Sequence, residues 1–225
     1  MLTTNTNFMD RTQVCHMASS IEKYILFVTK DNSIFHPIEK LPFEYKLLID
    51  AIHIARISDN VIALTKLLNL IYYTIDKFPT ESRMGIINYL VNDSFHFFFT
   101  HWSEILRSHY HHFIVYRATI GTVRAIFNNK LSRDEKNIYK QRQEKGFDLL
   151  EEDKKLINRI RESTRLLEMT KDHFDRVQRT KIELAIGEFR KLSKEAGDFY
   201  NKHKFDDAPT LEFYFDRYDT LSNDA

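Results

Sequence analysis

Residues 61–78 read VIALTKLLNLIYYTIDKF, and this stretch decides the fold class. A helix formed by these residues would be apolar on nearly all sides, so we expect it at the centre of a helical bundle. Lys66 and Asn69 interrupt the apolar run, which is also shorter than the ~20 residues that span a bilayer. The stretch therefore predicts a core helix, and the sequence predicts no transmembrane segment.

The composition of the whole chain agrees with a helical protein. Its 225 residues include only 5 Gly and 4 Pro, too few for the turns of a sheet protein. Apolar spacing and turn residues predict further helices at about 11–29, 42–57 and 81–91, and a long helix from 93 through 127. We expect an all-α fold, either a compact helical bundle or an array of helix pairs of the armadillo or HEAT kind.

Charge density changes near residue 130. Charged side chains are sparse in residues 1–130 and dense in residues 131–225. The first part can enclose an apolar core, whereas the second is typical of long solvated helices. We predict a compact helical domain at 1–130, a long charged helix or helical hairpin at 131–204, and an acidic aromatic tail at 205–225.

Residues 148–203 carry a heptad pattern, in which apolar and small residues recur at alternating spacings of three and four. The phase slips near Arg179, which fits a skip, a kink or a tight turn between two helices. The pattern predicts an apolar partner, which is the body of the protein, the other half of this segment or a second copy of the chain. The seam residues are Leu156, Ile160, Ser163, Leu167, Thr170, Phe174 and Val177, then Ile182, Ala185, Phe189, Leu192, Ala196 and Phe199.

The tail contains an apolar island among acidic residues, formed by Leu211, Phe213, Tyr214 and Phe215. Such an island either packs on the protein's own body as a latch or docks into a groove of a partner. Exposed aromatic clusters are uncommon on monomeric proteins, so we favour the latch.

Overall charge and cysteine content exclude several classes of protein. The 33 basic and 32 acidic residues nearly cancel, so the overall charge points to neither a nucleic acid nor an anionic membrane as partner and identifies no target. The glycines are isolated from one another, so no phosphate-binding loop is present. Cys15 is the only cysteine, which excludes an intramolecular disulfide and favours a reducing compartment. We expect a cytoplasmic protein.

Half of the ten histidines lie in residues 96–112, which makes this region the candidate for metal chemistry. His109 and His112 are three residues apart on a helix and would need Glu104 or His101 as a further ligand. Zinc-binding helices normally use a spacing of four, so polar tips on a packed helix explain these residues better. Cys15 and His16 point about 100° apart on a helix and do not form a nucleophilic pair. We predict no metal, no other cofactor and no enzymatic activity.

The most distinctive stretch, residues 94–117, combines the only Trp with Phe and Tyr residues around Arg107 and Arg117. Buried guanidinium groups need a carboxylate or an aromatic face, so we expect Arg107 to stack on rings or to pair with Glu104. The alternative is an aromatic and basic groove for a peptide or a single-stranded nucleic acid. The candidate packing or interaction centre is Trp102, Arg107, His109, His112, Tyr116 and Arg117.

The run HWSEILRSHYHHFIVYR at 101–117 resembles the signature of an uncharacterised helical family, domain of unknown function 1765, seen mainly in large fungal and amoebal proteins. That signature has an H-W-S-x-x-V/I-R core followed by F/Y-H-H and a Tyr-Arg pair. The resemblance covers about residues 51–127 and implies a helical fold and no catalytic residues. The matching positions are His101, Trp102, Ser103, Arg107, His111, His112, Tyr116 and Arg117.

The expected function is that of a non-enzymatic intracellular scaffold or adaptor that presents helical surfaces to other proteins, or to a second copy through residues 148–203. The alternatives are a peripheral-membrane helical module and an RNA-binding module that uses the basic stripe Lys136, Lys140, Arg142 and Lys145. Acidic residues interleaved with that stripe argue against nucleic acid. A metal-dependent helical enzyme built on His96 to His112 is less favoured, and no small-molecule substrate is identified.

Overall fold

A computed structural model describes residues 7, 10–28, 44–118, 149–203, 209 and 211. All regular secondary structure in this part of the chain is helical, which confirms the all-α fold. The basic stripe at 136–145 and the tail residues Phe213, Tyr214 and Phe215 lie outside the described residues.

The chain divides into two compact units, Met1–Arg83 with Ala208–Ala225, and Met84–Asp207. Residues 149–203 therefore share a unit with residues 84–118, across the division that charge density predicts. The predicted boundaries at 130 and 204 themselves lie outside the described residues and stay predictions.

The first unit is built around α3 (Val61–Thr74), which contacts both α1 (Arg11–Val28) and α2 (Tyr45–Ile57). Most of α3 is buried, as its apolar circumference predicts. The helix begins after Asn60, whose side chain accepts a hydrogen bond from the amide of Ala63 at 3.2 Å and so caps the first turn. A short 3₁₀ turn, Ile75–Lys77, follows α3.

The second unit contains most of α4 (Thr80–Asn88), a π-helical turn (Tyr89–Asp93), α5 (Phe95–Phe99), α6 (Glu104–His112) and a π-helical segment (Phe113–Ala118). The prediction of one helix from 93 through 127 is wrong, because residues 100–103 interrupt it. At this break the ring Nδ1 of His101 accepts a hydrogen bond from the amide of Ser103 at 3.0 Å. A side chain that bonds nearby main chain in this way offers an alternative to the helical hydrogen bond.

Residues 149–203 form two helices, α7 (Leu149–Thr170) and α8 (Arg176–His203), joined by a 3₁₀ turn, Lys171–His173. The open choice between one helix and a hairpin is thus settled in favour of two helices. Asp175 accepts a hydrogen bond from the amide of Gln178 at 2.9 Å and caps α8. The tight turn accounts for the slip in the heptad phase, although it lies a few residues before Arg179.

Ion pairs connect the two helices and the turn in antiparallel order, since earlier residues of α7 pair with later residues of α8. These pairs are exposed and therefore contribute little to stability. They are Glu168 with Arg190 at 2.7 Å, Lys171 with Glu183 at 3.3 Å, and Asp172 with Arg179 at 2.9 Å.

Some residues of the heptad seam are buried and others are exposed. Leu156, Ile160 and Leu167 of α7 are buried, as are Ile182, Ala185 and Ala196 of α8, whereas Val177 is 65% exposed. The chain itself covers the buried positions, so their burial does not require a coiled coil with a second copy.

Candidate functional site

Arg107 of α6 is the centre of the candidate site, and its side chain is only 3% exposed. Its Nε and Nη2 atoms donate hydrogen bonds to Oε2 and Oε1 of Glu188 at 2.6 and 2.7 Å. The remaining Nη1 donates to the carbonyl oxygen of His101 at 2.6 Å. The guanidinium fork therefore ties α6 to α8 and also holds the main chain where the helix is broken.

The partner of Arg107 corrects one prediction. Glu104 does not pair with Arg107; it is exposed, and Glu188, which lies 81 residues further along the chain, takes that place. Sequence reasoning missed Glu188 because the charged helices offer many carboxylates at equivalent helical positions. The only available signal was its position directly before Phe189, a residue of the heptad seam.

Aromatic side chains pack beside the Arg107–Glu188 pair. The ring of Phe99 is fully buried and stacks on Phe95 with 4.8 Å between centroids. It also contacts the rings of His111 at 4.6 Å and Phe189 at 5.2 Å. Phe189 thus places α8 against both α5 and α6, next to the ion pair.

Tyr110 is buried, and its hydroxyl donates a hydrogen bond to the carbonyl oxygen of Leu90 at 2.8 Å. Leu90 belongs to the π-helical turn, whose irregular main chain needs such partners. Burial raises the pKa of Tyr110 well above its ordinary value, so the hydroxyl stays protonated as a donor.

A family model described as "Protein of unknown function (DUF1765)" matches residues 1–118, just over half of the chain. The chain belongs to this family. The resemblance predicted from the 101–117 run is confirmed, although the match extends to the start of the chain and ends earlier than residue 127. Comparisons with curated proteins and with solved structures found no match.

The contacts of the candidate site join the DUF1765 region to the helices that follow it in the chain. Arg107, Phe99 and His111 lie inside the region, whereas Glu188 and Phe189 lie beyond it. Arg159 of α7 also donates to the side-chain oxygen of Asn92 at 2.6 Å. The α7–α8 hairpin is therefore bound to the C-terminal part of the DUF1765 region by several contacts.

Three histidines of α6 use their ring nitrogens to bind main-chain carbonyls. Nδ1 of His109 donates to the carbonyl of Ile105 at 2.9 Å, and Nδ1 of His112 donates to that of Ser108 at 2.8 Å. Nε2 of His111 donates to the carbonyl of Phe99 at 3.2 Å. The described residues contain no group of three or more His, Cys, Asp or Glu side chains that could hold a metal ion.

The other residues of the predicted centre make contacts of their own. Trp102 is 60% exposed, and its ring contacts that of His101 with 5.3 Å between centroids. Tyr116 stacks on His112 at 5.8 Å and meets Phe199 of α8 edge-on at 5.9 Å. Arg117 is buried in the π-helical segment. The role of these residues as a packing or interaction centre stays a prediction.

Two further predictions concern the tail and the membrane. Of the apolar island, Leu211 is described, and its main chain bonds to Tyr73 of α3. Among the helices of the described residues, none combines the length and the apolar character needed to cross a membrane.

Acid is expected to destabilise the protein through its buried histidines. Burial lowers the pKa of His109, His111 and His112, and that of His111 falls to about 3, with the charges of Arg107 and His112 adding to the effect. Below about pH 6.5 the unfolded chain protonates His111, whereas the folded chain does so only as the pH approaches about 3. The free energy of unfolding should therefore decrease as the pH falls from about 6.5 towards 3, by up to about 1.4 kcal/mol per pH unit from His111, and His109 and His112 should contribute in the same direction.

Urea denaturation between about pH 7.5 and pH 4.5 measures this dependence. In the His111→Phe variant the slope of stability against pH should be smaller by up to about 1.4 kcal/mol per pH unit. The same slope in this variant and in the natural protein would contradict the assignment of His111 as a neutral, buried group.

Proposed function

We propose that the protein is a scaffold or adaptor without enzymatic activity, which binds another protein through the α7–α8 hairpin. The supporting observation is a group of large apolar side chains exposed on either side of the turn. Their exposed fractions lie between 51% and 65%. Each has a charged residue directly before it in the sequence, which is also typical of a solvated helix. They are Leu166, Met169, Val177 and Leu184.

The spacing of these residues supports binding by a helix face. Leu166 and Met169 are three residues apart and share a face of α7, while Val177 and Leu184 are seven apart and share a face of α8. Helices that dock into an apolar groove use anchors at these spacings. Single exposed apolar residues need no explanation, but paired ones at one end of a hairpin favour an interaction surface.

The buried residues of the hairpin support the proposal that it is held rigidly on the rest of its unit. Leu167, Ile182 and Ala185 are buried, and the Arg107–Glu188 pair and Phe189 hold α8 on the DUF1765 region. A rigidly held surface loses less conformational entropy on binding than a free helix does. The DUF1765 region would thus serve as the support and the turn end of the hairpin as the contact surface.

The test compares the natural protein with the double variant Leu166→Glu/Val177→Glu as bait in extracts of the native cell. We expect the variant to recover the bound protein roughly tenfold less well, because the two anchors are lost. Ile57→Glu is the matched control, since Ile57 is an exposed apolar residue of the other compact unit. Both variants should unfold at the same urea concentration as the natural protein.

Two results would decide against this function. The hairpin surface is not the binding site if Leu166→Glu/Val177→Glu recovers the same proteins in the same amounts as the natural protein. Equal losses with Ile57→Glu would show a general effect of added charge. Light scattering on the same three proteins reveals a partner that is a second copy, since the natural protein would then be a dimer and the double variant a monomer.

A further inference from the structure

Two adjacent tyrosines at the end of α3 hold the main chain of a segment close to the end of the sequence. The hydroxyl of Tyr72 donates a hydrogen bond to the carbonyl oxygen of Pro209 at 2.6 Å. The hydroxyl of Tyr73 donates to the carbonyl oxygen of Leu211 at 3.2 Å and accepts from its amide at 2.9 Å. All four residues belong to the same compact unit.

The spacing of the bonded groups is that of an extended peptide. Main-chain groups two residues apart point to the same edge of an extended chain, and Pro209 and Leu211 are two apart. The two tyrosine rings meet edge-on, with 5.3 Å between centroids and 87° between planes. Their hydroxyls bond main-chain groups of Pro209 and Leu211, the two residues that would share that edge. The tyrosines therefore bind main chain much as an edge strand would.

The residue types at the two positions suit this mode of binding. Proline has no amide hydrogen, so the contact through the carbonyl of Pro209 leaves no main-chain donor of that residue unsatisfied. The Tyr72 side chain is fully buried, and the carbonyl of Pro209 gives its hydroxyl an acceptor at 2.6 Å, which helps to offset the cost of burying that group. This bond therefore favours a segment that is held at the site.

We propose that Tyr72 and Tyr73 form a docking site for an extended Pro-x-Leu peptide, and that the protein's own residues 209–211 occupy it. This site is separate from the hairpin surface and does not rest on the proposed function. Any other peptide of the same chemistry must displace the protein's own segment. The C-terminal segment thereby acts as an intramolecular competitor for the site.

Hydrogen exchange at the Leu211 amide, measured on the full chain, tests the contact directly. The amide should exchange slowly in the natural protein, and roughly tenfold or more faster in Tyr73→Phe, which lacks the accepting hydroxyl. Tyr24→Phe is the matched control, because Tyr24 is exposed on α1, and it should leave the rate unchanged. Equal rates at Leu211 in the natural protein and Tyr73→Phe would overturn the proposal.

A labelled peptide of residues 206–215, DDAPTLEFYF, tests the site as a receptor. The full-chain variant Leu211→Pro lacks the bonded amide and should release its own segment, so it should bind this peptide roughly tenfold more tightly than the natural protein does. Adding Tyr72→Phe and Tyr73→Phe to that variant should abolish the binding. Absence of binding to Leu211→Pro, or binding that survives the tyrosine changes, would overturn the proposal. Exchange at Leu211 that depends on protein concentration would place a second copy's segment in the site and would overturn the intramolecular assignment.

Discussion

Glu188→Ala is expected to lower the free energy of unfolding by about 3 kcal/mol, because it leaves the buried guanidinium of Arg107 without its carboxylate. The bonds from Nε and Nη2 of Arg107 are lost together, and water replaces them only in part, because Arg107 is 3% exposed although Glu188 is 31% exposed. Urea denaturation at neutral pH, analysed by linear extrapolation, measures the change.

Glu183→Ala is the matched control for this prediction. Glu183 lies on the same helix and pairs with Lys171 and Arg179, but all three side chains are solvent-exposed to a substantial extent. Exposed ion pairs contribute little, so the stability should remain close to that of the natural protein. Equal effects of Glu183→Ala and Glu188→Ala would show that burial of Arg107 is not what makes its pair important.

Phe99→Ala is expected to lower the free energy of unfolding by about 4 kcal/mol. The ring is fully buried and touches the rings of Phe95, His111 and Phe189, so its removal leaves a cavity where α5, α6 and α8 meet. Thermal and urea unfolding both report the loss, and the midpoint of each should fall.

Trp102→Ala provides the contrast, since Trp102 is a larger aromatic residue of the same stretch but is 60% exposed. We expect this variant to lose about 1 kcal/mol, because most of the Trp102 side chain is already exposed to water, although its ring contacts that of His101. A greater loss for Trp102→Ala than for Phe99→Ala would contradict the arrangement of the aromatic residues described above.

Much of the helical organisation can be predicted from local sequence. The apolar circumference of residues 61–78 identifies the central helix, and Asn60 marks its start, because both signals depend on neighbouring residues only. The family is likewise readable from the 101–117 run. These features are local, and the structure agrees with them.

The candidate site is harder to predict because its contacts join distant parts of the chain. The break at 100–103 lies within the aromatic stretch 94–117, which contains no Gly or Pro to mark a helix end. The bonds that accompany the break come from the His101 ring and from Arg107. Arg107 in turn depends on Glu188, 81 residues away, a partner that helical spacing cannot identify. Trp102 shows the opposite error, since its size suggests burial but the break places it at the surface.

The central claim is that Arg107 of the DUF1765 region and Glu188 of the hairpin stabilise the protein as a pair. A double-mutant cycle with Arg107→Met, Glu188→Leu and the double variant, each unfolded in urea, measures their coupling free energy. We predict a coupling free energy of about 2 kcal/mol or more. The double variant should therefore lose less stability than the two single variants lose together. A coupling near zero, with the two losses simply additive, would contradict the claim.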